Sequence, residues 1–240
     1  MKSRAGNNLT RSIVIDLGMA IVRGDYELKH FPTEAQLADQ YAASRNIVRE
    51  AVKILGEKGL LRSSPRKGTS VRPENEWNIL DSDILEWFLE RELSLPLLLE
   101  FTQVRMQIEP AAAALAAASA SVDQIAAIET AMARIEASEN GDGDPLEADI
   151  SFHISLLEAS GNRFFVQLSS LTETALRFSI RFTNKYKSKR THLTAHREIF
   201  LAIKNGDAKK ARQEAQDLLS TVESIINERL ANEQVNLQGA

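Results

Sequence analysis

The stretch from Phe31 to Val71 constrains this chain more than any other. It holds a short amphipathic segment opened by Thr33, a break, a second helical segment opened by Ser44 and closed by Gly59, and two short runs flanking Pro65-Arg66-Lys67-Gly68. Thr33 with Gln36 three residues on matches a capping box, and Gly59 is a helix stop. The spacing predicts helices over 33–41 and 44–58, then strands over 60–64 and 69–72 paired as a hairpin. An earlier helix over 10–23 follows from the helical recurrence of Ile13, Val14, Leu17, Ala20 and Ile21. In the 44–58 helix, Ile47, Val48, Ala51, Val52 and Leu55 form a face that seats on a core. Arg45 and Arg49, one turn apart, share another face. A helix anchored on one side and offering two guanidinium groups on the other suits a DNA major groove.

The charge distribution agrees. The net charge is −4 over 240 residues. Residues 1–72 nevertheless hold 13 Lys and Arg against 7 Asp and Glu, or +6, and residues 73–240 hold 16 against 26, or −10. A basic module followed by an acidic one implies that only the first approaches a polyanion. Cysteine is absent, which excludes a disulfide framework, thiolate metal sites and a cysteine nucleophile. No apolar run approaches the roughly 20 residues of a membrane span, and the N-terminus has no apolar stretch ending in a cleavage signal. A soluble cytoplasmic protein is the expectation.

The first domain is expected over 1–72 and a linker over 73–82, with Trp77 and Leu80 giving that linker something to pack. The remainder, 83–233, is expected to be an antiparallel helical bundle, so the fold class is mainly α. Helices are expected over 83–91, 95–118, 122–138, 145–159, 163–184, 190–205 and 207–231. They are punctuated by Asn140-Gly141-Asp142-Gly143-Asp144, Ser160-Gly161-Asn162 and Asn205-Gly206-Asp207. Pro110 falls inside the 95–118 helix and is expected to kink it.

Histidine is scarce: His30, His153, His192 and His196. Asp149 and His153 lie four residues apart on one helix face, and His196 is on a later helix. A carboxylate and two imidazoles converging in a bundle suit a divalent transition metal with positions left open for a ligand. The bland alternative is an ordinary helical Asp–His hydrogen bond. Arg105 would add charge-assisted bonds to a ligand carboxylate. Asn162 and Arg177 are weaker pocket candidates, and Arg177 could equally pair with Glu173 on its own helix. His192 is read as a surface residue.

The order of these modules resembles the GntR family of bacterial repressors, with a second domain similar to its fatty-acid-regulator, or FCD, subfamily. The carriers are Pro32-Thr33-Glu34, Leu37-Ala38, Ser44-Arg45, Val48-Arg49-Glu50-Ala51, Gly59-Leu60 and Arg66-Lys67-Gly68-Thr69 with Val71. In the second domain they are Arg105, Glu109-Pro110, Asp149, Phe152-His153, Gly161-Asn162, His196, Ala202-Ile203 and Gly206-Asp207. The phrase from Trp77 to Trp87 resembles a branch that represses sugar-acid, galactonate-like catabolism genes and leaves DNA on binding its sugar acid.

The resemblance implies a double-stranded DNA operator and a homodimer, with Arg45 and Arg49 as the main readers. Thr33, Ser44 and Asn46 would position the phosphate backbone, and Arg66, Lys67 and Gly68 would contact DNA from the wing. It implies an effector site at Arg105, Asp149, His153 and His196, and a metal (Zn, Ni or Mn) on Asp149, His153 and His196. Two departures stand out. Ala35 occupies a position where the family often has a DNA-contacting arginine. Leu218 occupies the position of a usual further histidine. Either a metal is held more weakly and completed by ligand and water, or the three residues bind the sugar acid directly. Two other readings stay open at this point: a metal-dependent enzyme acting on a sugar acid, and a DNA-binding dimer that takes no ligand.

Overall fold

The computed structural model describes residues 2–26, 30–64, 68–91, 94–183 and 189–238, with side chains described over 8–26, 30–64, 68–91, 94–179 and 193–233. The chain forms two compact units, Met1–Glu92 and Leu93–Ala240.

The first unit begins with α1 (Lys2–Val22), longer at its start than the spacing predicted, followed by α2 (Glu34–Gln40) and α3 (Arg45–Glu57). Ile13, Leu17, Ile21 and Val22 of α1 are buried, as are Leu37 of α2 and Val48, Ala51, Val52 and Leu55 of α3. This is the helix-turn-helix core, and it leaves the Arg45–Arg49 face of α3 outward. Thr33 caps α2 in a complete capping box, and the Ser44 hydroxyl caps α3 by accepting from the Ile47 N–H. Strands β1 (Leu61–Ser64) and β2 (Gly68–Val71) pair antiparallel, Leu61 opposite Val71 and Ser64 opposite Gly68.

The segment after the hairpin is packed down. It contains a 3-10 turn (Glu74–Glu76), and the Trp77 indole N–H donates to the Arg72 carbonyl at 2.9 Å. Gly59 is required where it crosses: its φ is +83°, and a Cβ there would stand 2.9 Å from the Glu76 carbonyl oxygen.

Helix α4 (Ser82–Phe88) corrects the expected boundary at 83. It belongs to the first unit, not to the helical bundle. Trp87 lies over Gly18 of α1, where a Cβ would come within 2.3 Å of its ring. Asp81 caps α4 and also accepts from Lys58 Nζ at 2.7 Å, tying α4 to the end of α3.

The second unit comprises α5 (Leu95–Ser119), α6 (Val122–Glu139), α7 (Pro145–Ala159), α8 (Arg163–Gln167), α9 (Ser169–Thr183), α10 (Lys189–Lys204) and α11 (Ala208–Gln238). The helix expected over 163–184 is two helices. The Leu168 N–H bonds back three residues to Phe165, tightening the turn and re-aiming the chain before α9. Helix α5 runs on through Pro110. The core gathers Ile128, Met132, Ile135, Phe152, Leu156, Ile199, Ile203 and Leu218, with Ala113, Ala116, Ala211 and Ala215 allowing close approach of α5 and α11. No helix among the described residues is long and apolar enough to cross a membrane.

Candidate DNA-reading face and a buried ionic cluster

On the first unit, Ser44, Arg45, Asn46 and Arg49 are all exposed along the start of α3. Ser44 Oγ accepts the Ile47 N–H at 3.4 Å, so its hydroxyl hydrogen remains available for a phosphate oxygen. Thr33 is more committed: its Oγ1 accepts the Gln36 N–H and donates to Gln36 Oε1 at 2.9 Å. Arg49 has a partner that its own helix did not reveal. Its Nε and Nη2 both lie 3.3 Å from Glu34 Oε2 on α2, which poises the guanidinium on the outer face. Gly68 opens β2 with φ of +80° and nothing within 4 Å of a Cβ built there. Arg66 and Lys67 lie outside the described residues.

In the second unit, five ionisable side chains meet out of solvent. Arg105, Glu109, Asp149, His153 and His196 are each 3% exposed or less. Helix α5 supplies Arg105 and Glu109 one turn apart, α7 supplies Asp149 and His153 one turn apart, and α10 supplies His196. Glu109 is held from two sides. Arg105 Nε and Nη2 donate to its two carboxylate oxygens at 2.5 and 3.2 Å, and His153 Nδ1 stands 2.8 Å from Oε2. Burial alone would raise this carboxyl, but Arg105 and then His153 outweigh it and hold it down at about 2. Burial pushes His153 below its ordinary range, against the opposing pull of Glu109.

With Nδ1 turned to Glu109, His153 presents Nε2 to the remaining pair. Nε2 lies 3.3 Å from His196 Nε2 and 4.0 Å from Asp149 Oδ2, and His196 Nε2 lies 3.1 Å from Asp149 Oδ1. Phe152 packs edge-on against the His196 ring at 4.9 Å and helps set its angle. One ligand atom from each of Asp149, His153 and His196 falls within 4.8 Å of the others. That donor set of two nitrogens and one oxygen fits a borderline divalent metal, and a carboxylate on the far nitrogen of a ligating histidine is the usual support.

Glu109 is the member that sequence reasoning did not assign. Its signal was available, since it stands four residues after Arg105 just as His153 stands four after Asp149. Two candidates fall outside the cluster. The Asn162 side-chain oxygen accepts the Phe164 N–H at 3.0 Å and caps α8. Arg177 is occupied by Glu147 and Glu173 at 2.8 and 2.7 Å. Leu218 lies in the apolar core. The His192 side chain lies outside the described residues.

Two family descriptions match the chain: bacterial regulatory proteins of the gntR family over residues 9–71, and the FCD domain over residues 100–221. The galactonate operon transcriptional repressor of Escherichia coli is 34% identical over 217 residues, covering 89% of this chain and 95% of that one. The HTH-type regulator YieP of the same organism is 34% identical over 218 residues, covering 90% and 94%. Among solved structures, Lar, which controls expression of the Listeria monocytogenes agr system, shares the fold with a TM-score of 0.54 at 19% identity, covering 91% of this chain and 96% of that one. These relatives are regulators and not enzymes, and the chain belongs to the GntR family of DNA-binding transcriptional regulators, in the branch whose second domain is an FCD domain.

Proposed function

We propose that this protein is a cytoplasmic, homodimeric repressor of sugar-acid catabolism genes, released from its operator by a polyhydroxy carboxylate. The observation that carries the reading is the sealed ionic cluster of Arg105, Glu109, Asp149, His153 and His196. Burying that many ionisable groups is costly, and a core built for stability alone does as well with apolar side chains. The 34% identity to a repressor of the galactonate operon supports the ligand class.

The charges of the cluster suit a two-component ligand. Arg105 and Glu109 cancel. Asp149 leaves one negative charge when both imidazoles are neutral, the form in which they ligate. A divalent cation held by Asp149, His153 and His196 would supply a Lewis-acidic centre and turn the balance to +1, which a carboxylate then closes. Glu109 keeps His153 Nε2 aimed at the cluster, and Arg105 keeps Glu109 ionised. On the other unit, Arg45 and Arg49 reach base edges or phosphates, while Ser44, Asn46 and Thr33 set the backbone position and the wing residues Arg66, Lys67 and Gly68 approach from the side. A two-fold operator calls for a two-fold protein.

Operator titration tests the whole reading. Galactonate is expected to weaken operator binding and raise the melting temperature, and light scattering is expected to give twice the 26.6 kDa chain mass. Operator binding that no sugar acid alters, with no thermal shift, would refute the effector assignment.

A further inference from the structure

Buried hydroxyl groups on helices normally return their proton to the carbonyl three or four residues back. The second unit follows this rule at Thr102, Ser138, Ser155 and Ser160, which donate to Leu98, Ile135, Phe152 and Leu157 at 2.6–2.8 Å. Thr172 breaks it. It is 0% exposed on α9, yet its Oγ1 has no hydrogen-bond partner among the described residues. Its backbone N–H donates to the Leu168 carbonyl at 3.0 Å. Ser169, one turn earlier on the same face, has a buried hydroxyl in the same condition.

Two contacts set the level of α9 along its neighbours. Arg177 of α9 meets Glu147 of α7 at 2.8 Å, and Phe178 of α9 stacks on Phe101 of α5 at 5.8 Å between ring centroids. The short α8 connection makes α7 and α9 antiparallel. At about 1.5 Å per residue, stepping five residues back from Arg177 reaches Thr172, and stepping six forward from Glu147 reaches His153, so these two are level. The same step back from Phe178 along α9 corresponds on α5 to the turn between Arg105 and Glu109, the two residues that hold His153. Helix α9 thus packs on α7 and α5 at the level of the ionic cluster.

We infer that Thr172, assisted by Ser169, is the hydroxyl-recognising wall of the effector site, opposite the charged wall formed by Arg105, Asp149, His153 and His196. The inference rests on the effector reading above and sharpens its ligand class. A carboxylate alone satisfies the charged wall, whereas a chain hydroxyl is needed to satisfy α9. The site therefore selects polyhydroxy acids over fatty or dicarboxylic acids, because an analogue without the hydroxyl leaves a buried polar group unpaired.

Calorimetry with galactonate and with hexanoate, its hydroxyl-free six-carbon counterpart, tests this on the full chain. Thr172→Val replaces the hydroxyl by a methyl of similar shape. It is expected to weaken galactonate binding roughly ten- to a hundredfold, to leave hexanoate binding unchanged, and to keep or raise the ligand-free melting temperature. Thr172→Ser is expected to retain most galactonate affinity, and Ser169→Ala to lose less than Thr172→Val. Unchanged galactonate affinity in Thr172→Val, or equal losses for both ligands, overturns the inference while leaving the effector site standing. A lowered ligand-free melting temperature with intact affinity shows that the hydroxyl is structural and also overturns it. A wild-type protein that binds neither acid removes the effector reading itself, and this inference with it.

Discussion

Glu109 and His153 meet at 2.8 Å across the packing of α5 on α7, and Arg105 grips the same carboxylate from one turn away. The arrangement decides which imidazole nitrogen faces the cluster. It also changes what Arg105 is, because its charge is already answered inside the protein and is not simply waiting for a ligand. Removing Arg105 therefore does two things: it takes away the proposed ligand contact, and it strands a buried carboxylate.

Arg105→Ala and Glu109→Ala are each expected to lose about 3–5 kcal/mol of unfolding free energy, since each leaves an uncompensated buried charge. The double substitution Arg105→Met with Glu109→Met is expected to recover most of that loss and to bind operator without release by sugar acid. Urea unfolding and operator titration check both. A double variant no more stable than either single one would show that the pair is not a closed charge unit.

Zn, Ni or Mn ions are expected to raise the melting temperature of the intact chain, and a chelator to reverse this. At about 100 times its dissociation constant a bound ligand adds roughly 2.7 kcal/mol to the folded state. Asp149→Ala and His196→Ala should abolish the metal response, and His153→Ala should also leave the protein on its operator in the presence of sugar acid. A wild-type chain whose melting is indifferent to all three metals would leave Asp149, His153 and His196 as direct ligand contacts.

Arg45→Ala and Arg49→Ala are each expected to weaken operator binding by about 1–3 kcal/mol at fixed salt. Glu34→Gln is expected to act oppositely. The exposed Glu34–Arg49 pair contributes little to stability, about 0–1 kcal/mol, but its carboxylate sits beside the arginine proposed to read DNA. Its removal should tighten binding and steepen the salt dependence. Arginine variants that keep wild-type operator affinity would move the reading face elsewhere.

Local chemistry made the helix-turn-helix legible. Thr33 with Gln36, Ser44 with Ile47, and Gly59 are signals written within a few residues, and the Asp149–His153 spacing is of the same kind. The break at Leu168 carries no glycine or proline, and the one hint of a new helix start, Ser170 with Glu173 three residues on, is weak inside a continuous apolar pattern. The Glu34–Arg49 pair joins two helices, and same-helix spacing could not show it. The placement of α4 was hidden for a related reason. Its apolar residues Ile84, Leu85, Trp87 and Phe88 would suit burial on any neighbour, and the glycine that admits Trp87 lies in α1.

That glycine gives the sharpest test of the first unit. Gly18 sits inside a regular helix at ordinary backbone angles, where alanine would normally gain stability. Here a Cβ would fall 2.3–2.7 Å from three atoms of the Trp87 ring. The indole is 3% exposed and bounded on another side by Lys58, whose Nζ lies 5.9 Å from the ring and is tied to Asp81 and Asp83 at 2.7 Å. The ring has little freedom to retreat. Gly18→Ala is therefore expected to destabilise by about 1–3 kcal/mol, as overpacking does, and Gly18→Leu by more. Trp87→Leu in the Gly18→Ala background should restore part of the loss, because the smaller side chain makes room for the methyl. Urea unfolding followed by tryptophan fluorescence, with Trp77 alone as the reporter in the double variant, measures this. A stabilised Gly18→Ala protein would show that α4 does not rest on α1.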